Sequence, residues 1–185
     1  MLRFKKGLHK QNYRSNCGMD YIIVDGYNVI GASPELSALR DQNLEDARHQ
    51  LQEQLSEYSA YTGQKVIIVY DAHLTKGIAK KTRLNNIEVC FTEQGVTADE
   101  YIEKAVVDII RQDNKVYVAT SDALEQRLVF GKGALRLSAR ELLLDIKRVN
   151  EQIVDEISKS RQKQTRLKGA INQEIARIFE DWRRK

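Results

Sequence analysis

The feature that most constrains the fold is a short apolar run, rich in β-branched residues, that recurs along the chain and ends in an acid. The runs and the acids that follow them are Tyr21–Val24 with Asp25, Lys65–Tyr70 with Asp71, and Lys115–Thr120 with Ser121 and Asp122. Such runs are typical of buried strands. The segments between them place apolar residues three and four apart, which is the helical spacing. Strands that alternate with helices predict a parallel sheet with helices on both faces.

Two shorter runs, Ile87–Phe91 and Leu135–Leu137, bring the expected sheet to about four to five strands. The polar segment Ala72–Arg83 is expected to form a loop after the second strand. Ser138 is predicted to cap a long helix that loses its apolar stripe towards the C-terminus. Gly169 is expected to break or bend that helix, so that a separate amphipathic helix ends the chain.

The bulk properties are those of a globular domain with an extension. At 185 residues the chain can bury a substantial core. No apolar run approaches the roughly 20 residues of a membrane-spanning helix, so no membrane partner is expected. Cys17 and Cys90 do not make a disulfide framework, and Cys90 lies in an apolar run typical of a buried free thiol. Both observations favour a reducing, cytoplasmic location.

The net charge of +4 is unevenly divided along the chain. Residues 1–18 hold five basic residues and no acid, residues 19–146 hold 14 basic and 20 acidic residues, and residues 147–185 hold 11 basic and six acidic residues. We expect the first segment to be a disordered basic extension, because it has no hydrophobic periodicity. The second segment is the expected α/β domain, and the third is a basic helical extension packed on it. An acidic body with a basic tail favours a polyanionic partner.

Four acids are predicted to meet at one edge of the sheet. Asp25, Asp71 and Asp122 follow strands, and Asp99 opens a helix that follows a strand. The carboxyl ends of parallel strands share one edge, which is where ligands bind in open α/β sheets. Clustered carboxylates repel one another unless a cation joins them, and Mg²⁺ or Mn²⁺ prefers such oxygen ligands. Taken singly, each acid is also explained as a strand-end turn or a helix cap.

The stretch from Asp25 to Asn28 adds an amide to this edge. Gly26 is expected to free the backbone for a sharp turn, so that Asn28 folds back beside Asp25. Asn28 then orients a ligand, or alternatively only holds the turn. Tyr27 is expected to pack in the core rather than to stack on a base. Glu100 stands three residues after a threonine, which is the spacing of a capping-box partner.

The sequence lacks the motifs of several other classes of enzyme and binding site. The sequence contains no G-x-G-x-x-G, G-x-x-x-x-G-K-[ST] or G-x-S-x-G pattern, so dinucleotide, P-loop and nucleophile-elbow functions have no support. His9, His49 and His73 lie apart, and the two cysteines have no zinc spacing. A small-molecule phosphatase with a similar acidic edge is expected to carry a D-x-D pair after the first strand, and this chain does not.

Four blocks of the sequence, in this order, resemble the NYN family of PIN-like nucleases. The blocks are Val24–Ile30, Tyr70–Ala72, Thr97–Ile102 and Ala119–Asp122. The resemblance covers about residues 19 to 185 and is greatest to the YacP-like bacterial branch, in which a ribosome-associated mRNA endonuclease is known. It implies a Rossmann-like, PIN-like parallel sheet and RNA as the substrate.

The resemblance also implies the roles of the site residues. Asp25, Asp71, Asp99 and Asp122 would form the metal-binding, catalytic site, and Asn28 would orient a ligand or water. The predicted function is a metal-dependent endoribonuclease that cleaves mRNA in association with the ribosome and uses Mg²⁺ or Mn²⁺. We expect it to act as a monomer. The alternative is a non-catalytic RNA- or ribosome-binding module with the same fold.

Two groups of basic residues are candidates for RNA contacts. The first follows the second strand and the second lies in the C-terminal helical region: Lys76, Lys80, Lys81 and Arg83, and Lys159, Arg161, Lys163, Arg166 and Lys168. The first group is expected on the catalytic edge, where it would hold the phosphate backbone. The second would contact ribosomal RNA, with an affinity that falls steeply with salt. Each group can instead be a solvated loop or helix face.

Overall fold

The computed structural model describes residues 19–71, 80–84, 86–112, 114–121 and 131–184. The strands are β1 (Asp20–Asp25), β2 (Lys65–Tyr70), β3 (Lys80–Leu84), β4 (Ile87–Phe91), β5 (Lys115–Ala119) and β6 (Leu135–Leu137). They form one sheet with the order β3-β4-β2-β1-β5-β6, in which every neighbouring pair is parallel except β3 and β4. The predicted α/β parallel sheet is confirmed, with six strands where about four to five were expected.

Helices cover both faces of the sheet, as predicted. They are α1 (Gly26–Ala32), α2 (Pro34–Gln42), α3 (Leu44–Thr62), α4 (Ala98–Ile110) and α5 (Ala139–Arg183). Successive side chains of a strand point to opposite faces. In β1, Ile22 and Val24 therefore pack with α1, α2, α3 and α5, whereas Ile23 packs with α4. Both faces of β1 are covered at Ile22–Val24, so its side chains reach solvent only at the two ends of the strand, with Asp25 at the carboxyl end.

The strand β3 corrects the expectation of a continuous loop up to Arg83. Residues 80–84 pair with β4 in antiparallel register, with Lys80 opposite Phe91 and Arg83 opposite Glu88. Its sequence, KKTRL, has no apolar alternation, because an edge strand buries little of its surface. This is why the hydrophobic pattern failed to indicate it. Residues 72–79, with Lys76 and His73, lie outside the described part of the chain.

Helix α5 corrects a second expectation, because it runs without a break from Ala139 to Arg183. Ser138 caps its first turn and forms a capping box with Glu141, as the sequence predicted for the cap. A glycine in a helix interior costs about 1 kcal/mol, which a long helix tolerates. The helix packs on the sheet through its first turns, where Ile146 is buried, whereas Val154 is 67% exposed. In the described part of the chain, no helix combines the length and the apolar character needed to cross a bilayer.

Candidate active site

The centre of the site is Asp25, the last residue of the central strand β1. In the sheet register it stands opposite Val69, so Asp71 follows two residues further along the neighbouring strand. On the other side Val24 pairs with Ala119, which places Ser121 at the same edge. The parallel strands therefore bring Asp25, Asp71 and Ser121 to one edge of the sheet, where the sequence had placed the candidate site.

Helix α1 starts directly after β1, and Asp25 is its N-cap. The backbone N–H of Asn28 donates to Asp25 Oδ1 at 3.1 Å. The side chain of Asn28 reaches across to the next strand, where its Oδ1 accepts from the backbone N–H of Ser121 at 2.9 Å. Asn28 is thus fixed beside Asp25 at both its main chain and its side chain.

Asp99 approaches Asp25 from the face of the sheet that α4 covers, which is opposite to the face covered by α1. It lies in the first turn of α4, which Thr97 caps by accepting from the backbone N–H of Glu100 at 3.2 Å. Asp99 is exposed, so its carboxylate is accessible from solvent. The predicted cap at Thr97 is confirmed, and the N-terminus of α4 presents Asp99 towards Asp25, whose ionisation it affects.

The electrostatics of Asp25 show that two other carboxylates act on it. Burial raises the pKa of Asp25 from 3.8 to about 6, and the negative charges of Asp99 and Asp71 add to that effect. The backbone N–H groups of Asn28 and Tyr27 act in the opposite direction, because they stabilise the ionised form. A carboxyl with such a pKa is destabilised when it is charged, and a bound cation would relieve that repulsion.

The donor set fits a hard divalent cation. Carboxylate oxygens are the ligands that Mg²⁺ and Mn²⁺ prefer, and no sulfur or imidazole ligand of the described residues competes at this edge. Asp122 lies outside the described part of the chain. Within the described ranges, no three His, Cys, Asp or Glu side chains already stand close enough to hold one ion together. The described acids alone therefore do not form a cation site.

Gly26 is required for packing rather than for a turn. It is the first residue of α1, and its φ is not in the left-handed region occupied by Gly63, Gly95 and Gly133. A Cβ at this position would lie 2.2 Å from Cε1 of Tyr70, a buried residue of β2. The expectation that Gly26 supplies backbone freedom is wrong: its missing side chain lets α1 start close to β2.

Arg48 is a buried cation that the sequence reasoning missed. It is 2% exposed, and its guanidinium lies 5.3–5.7 Å from the ring centres of three aromatic residues, Tyr27, Tyr70 and Phe91. It also donates to the hydroxyl of Tyr27 and pairs with Glu45. The available signal was its helical spacing, because position 48 completes the apolar face of α3.

The same contacts define the position of Tyr27, whose ring centre lies 5.1 Å from that of Tyr70. Tyr27 packs beneath the site, as expected, and its hydroxyl is held by Arg48. Burial raises the pKa of Tyr27, and the nearby charge of Asp71 adds to this. Arg48 and Tyr27 therefore pack beneath the acidic residues and support them, but they do not form part of the exposed surface of the site.

Only some of the candidate RNA contacts are in the described part of the chain. Lys81 forms an ion pair with Glu88 at 2.7 Å, so its charge is partly neutralised. Lys159 pairs with Asp155 at 2.6 Å on the exposed face of α5, and Arg161 is also exposed. Outside the described part are Lys76 and the side chains of Lys80, Lys163, Arg166 and Lys168.

Comparison with known proteins identifies relatives that span most of the chain. A family model described as the YacP-like NYN domain matches residues 22–184. The "uncharacterized protein YacP" of Bacillus subtilis (strain 168) is 44% identical over 166 residues, covering 90% of this chain and 98% of that protein. A crystal structure of Rae1 (YacP) from Bacillus subtilis has a TM-score of 0.71 at 44% identity, covering 90% of this chain and 96% of that one. A structure of a point mutant of Rae1 gives a TM-score of 0.68 at 42% identity, with 76% and 83% covered.

Proposed function

Because the chain belongs to the YacP-like NYN domain family, we propose that it is a metal-dependent endoribonuclease that cleaves mRNA in association with the ribosome. Family membership and the similarity to YacP support a nuclease-related function on RNA. The observation that carries the finer proposal is the pKa of Asp25, raised to about 6 at a sheet edge that Asp71 and Asp99 also approach. A protein gains no stability from this arrangement, so we assign it to catalysis.

In this proposal Asp25, Asp71, Asp99 and Asp122 hold one or two Mg²⁺ or Mn²⁺ ions. Bound there, the metal supplies Lewis acidity for an attacking water and charge stabilisation for the leaving oxygen of a phosphodiester. The chain itself provides the carboxylates. Because the pKa of Asp25 is about 6, this carboxyl is half ionised at about pH 6 and becomes fully ionised as the pH rises further. Asn28, whose carbonyl oxygen is occupied by Ser121, directs its Nδ2 donor at a water or a phosphate oxygen.

The basic C-terminal helical region is the basis for the second part of the proposal, which is the association with the ribosome. The described body is acidic and repels RNA, so a separate cationic surface has to hold the substrate. The stretch from Lys159 to Lys168 has five basic residues and no acid. We assign it to ribosomal RNA, and Lys76 and Lys80 to the mRNA backbone. Both contacts would weaken steeply as salt is added, because counterions released on binding favour the complex at low salt. The expectation that Arg83 lies on the catalytic edge is wrong, because it stands opposite Glu88 near the amino end of β4.

The test of catalysis is cleavage of a translated mRNA with ribosomes and Mn²⁺, comparing wild type with two variants of α4. Asp99→Asn removes an acid of the site, and Asp108→Asn makes the same change at an exposed position of the same helix. We expect a loss of at least about 100-fold for Asp99→Asn and wild-type cleavage for Asp108→Asn.

Equal cleavage by the two variants would refute the catalytic role of the acids. Wild-type protein that binds ribosomes but never cleaves with either metal would instead support the alternative, a non-catalytic binding module. The role of the tail is tested separately by co-sedimentation with ribosomes after removal of residues 159–185. Co-sedimentation that survives the truncation at low and high salt would contradict it.

A further inference from the structure

A second, differently charged pocket adjoins the acidic edge. It has a volume of about 520 Å³. Its lining includes Asn28, Gly31 and Ala32 of α1, Ser121 after β5, Arg136 of β6, Ser138, and Arg140 of α5. Asn28 belongs to both sites, because its backbone N–H is bound to Asp25 while its side chain lines the pocket. A ligand in the pocket therefore lies next to the acidic edge.

The pocket is positive because two arginines share it. Arg136 comes from β6 and Arg140 from the first turn of α5, and both are exposed. Neither forms an ion pair with any residue in the described ranges. Glu141, in the first turn of α5, accepts hydrogen bonds from Ser138, whose Oγ and backbone N lie 2.6 and 2.8 Å from its Oε2. Those hydrogen bonds lower the pKa of Glu141, and the positive charge of Arg136 adds a smaller effect in the same direction.

The N-terminus of α5 lies beside Arg140 and adds its partial positive charge to the pocket. Arg140 lies in the first turn of this 45-residue helix. Arg136 adds a second positive charge to the same pocket. Two guanidinium groups beside a helix N-terminus attract an anion, and their planar donor forks match phosphate oxygens. A small polar pocket with these donors suits a phosphate group rather than a base.

We propose that this pocket binds a backbone phosphodiester of the RNA strand, next to the phosphodiester that is cleaved at the acidic edge. This inference rests on the proposed function, since it takes RNA as the ligand. The strand runs from Asp25 past Asn28 to Arg136 and Arg140. The shared residue Asn28 keeps the two phosphate positions in register. The pocket attracts the substrate, whereas the unloaded acidic edge repels it.

The experiment measures binding of a fluorescently labelled single-stranded RNA 12-mer by anisotropy in EDTA, so that no metal-dependent cleavage occurs. The variant Arg136→Gln/Arg140→Gln is compared with a control of equal charge, Arg111→Gln/Arg148→Gln, whose residues are exposed and lie outside the pocket. We expect the pocket variant to bind about 10-fold more weakly than the control. The slope of log Kd against log salt is expected to fall by about 0.7 for each phosphate that the variant no longer neutralises.

Two further comparisons separate the effect of charge from that of the guanidinium shape, and a backbone phosphate from a terminal phosphate. The variant Arg136→Lys/Arg140→Lys keeps both charges, so we expect it to recover the salt slope and part of the affinity. The same RNA is measured with and without a 5′-phosphate, because a terminal phosphate has the same chemistry as the backbone. Thermal unfolding followed by circular dichroism checks that each variant is folded, and we expect each variant to unfold at the same temperature as the control.

Equal affinities of the pocket variant and the control would overturn the proposal, as would a loss seen only with the 5′-phosphate. Absence of RNA binding by the wild-type protein would also overturn it. These outcomes are distinct from a failure of the proposed function, because binding in EDTA requires no cleavage. A protein that binds RNA through the pocket and never cleaves it would refute the nuclease function and keep the phosphate site.

Discussion

Replacing Asp25 with Asn should stabilise the metal-free protein at alkaline pH. The folded state raises the pKa of Asp25 from 3.8 to about 6, so it holds this proton more tightly than the unfolded chain does. The contribution of the protonated carboxyl is complete below about pH 4 and is lost as the pH rises through 6. The shift corresponds to about 3 kcal/mol well above pH 6, and partial exposure to water reduces this to about 1–2 kcal/mol.

Asparagine keeps the shape of the side chain and still caps α1 by accepting from the backbone N–H of Asn28. We therefore expect Asp25→Asn to raise the free energy of unfolding by about 1–2 kcal/mol at pH 8 in EDTA, and by less than about 0.5 kcal/mol at pH 4. The assay is urea denaturation followed by circular dichroism. Asp20→Asn, at the opposite end of β1, is the matched control.

Addition of Mn²⁺ should reverse the order, because binding to the folded state stabilises wild type and the variant has lost a ligand. A variant that is less stable than wild type at pH 8 in EDTA would contradict the raised pKa of Asp25 in the folded state. The same conclusion would follow if the difference between variant and wild type did not change between pH 4 and pH 8.

Two further substitutions test the packing beneath the site. Gly26→Ala should lower the free energy of unfolding by about 2–3 kcal/mol, because the new Cβ would lie 2.2 Å from the ring of Tyr70. Gly31→Ala, in the same helix with no atom within 4 Å of its new Cβ, should be neutral or stabilising, and equal effects in urea denaturation would contradict the contact. Arg48→Ala should cost about 2–4 kcal/mol, because it removes the cation–π interactions with the aromatic rings and leaves a cavity. The control is Glu45→Ala, which changes the exposed ion-pair partner of Arg48 and should alter the free energy of unfolding by no more than about 0.5 kcal/mol. If Arg48→Ala and Glu45→Ala gave the same thermal unfolding curve, Arg48 would not have this stabilising role.

The sequence predicted the parts of the fold that hydrophobic patterning determines. The buried strands β1, β2, β4 and β5 were evident because both of their faces are covered, which requires continuous apolar runs. The caps at Thr97 and Ser138 were evident because capping depends on local hydrogen bonds. Edge strand β3 was missed because its pairing with β4 depends on backbone hydrogen bonds, which leave no apolar pattern.

The site was predictable to the extent that topology determines it. The carboxyl ends of neighbouring parallel strands lie at the same edge of a sheet, and Asp25 and Asp71 each follow the end of such a strand. The location of the candidate site could therefore be inferred from the strand order alone, before any distance between the two side chains was known. The role of Gly26 could not be inferred, because the ring that excludes a side chain belongs to Tyr70 on another strand. The pocket of Arg136 and Arg140 was equally hidden, since it needs the register of β6 against β5.

The central claim is that the acids at the carboxyl edge of the sheet bind the catalytic metal. The most direct measurement is the anomalous difference density of a crystal soaked in Mn²⁺. We expect a peak at about 2.1 Å from carboxylate oxygens of Asp25 and at least one of Asp71, Asp99 and Asp122. That peak should be absent from crystals of Asp25→Asn treated in the same way. A protein that cleaves RNA with Mn²⁺, yet shows no peak at this edge or binds the ion elsewhere, would contradict the account.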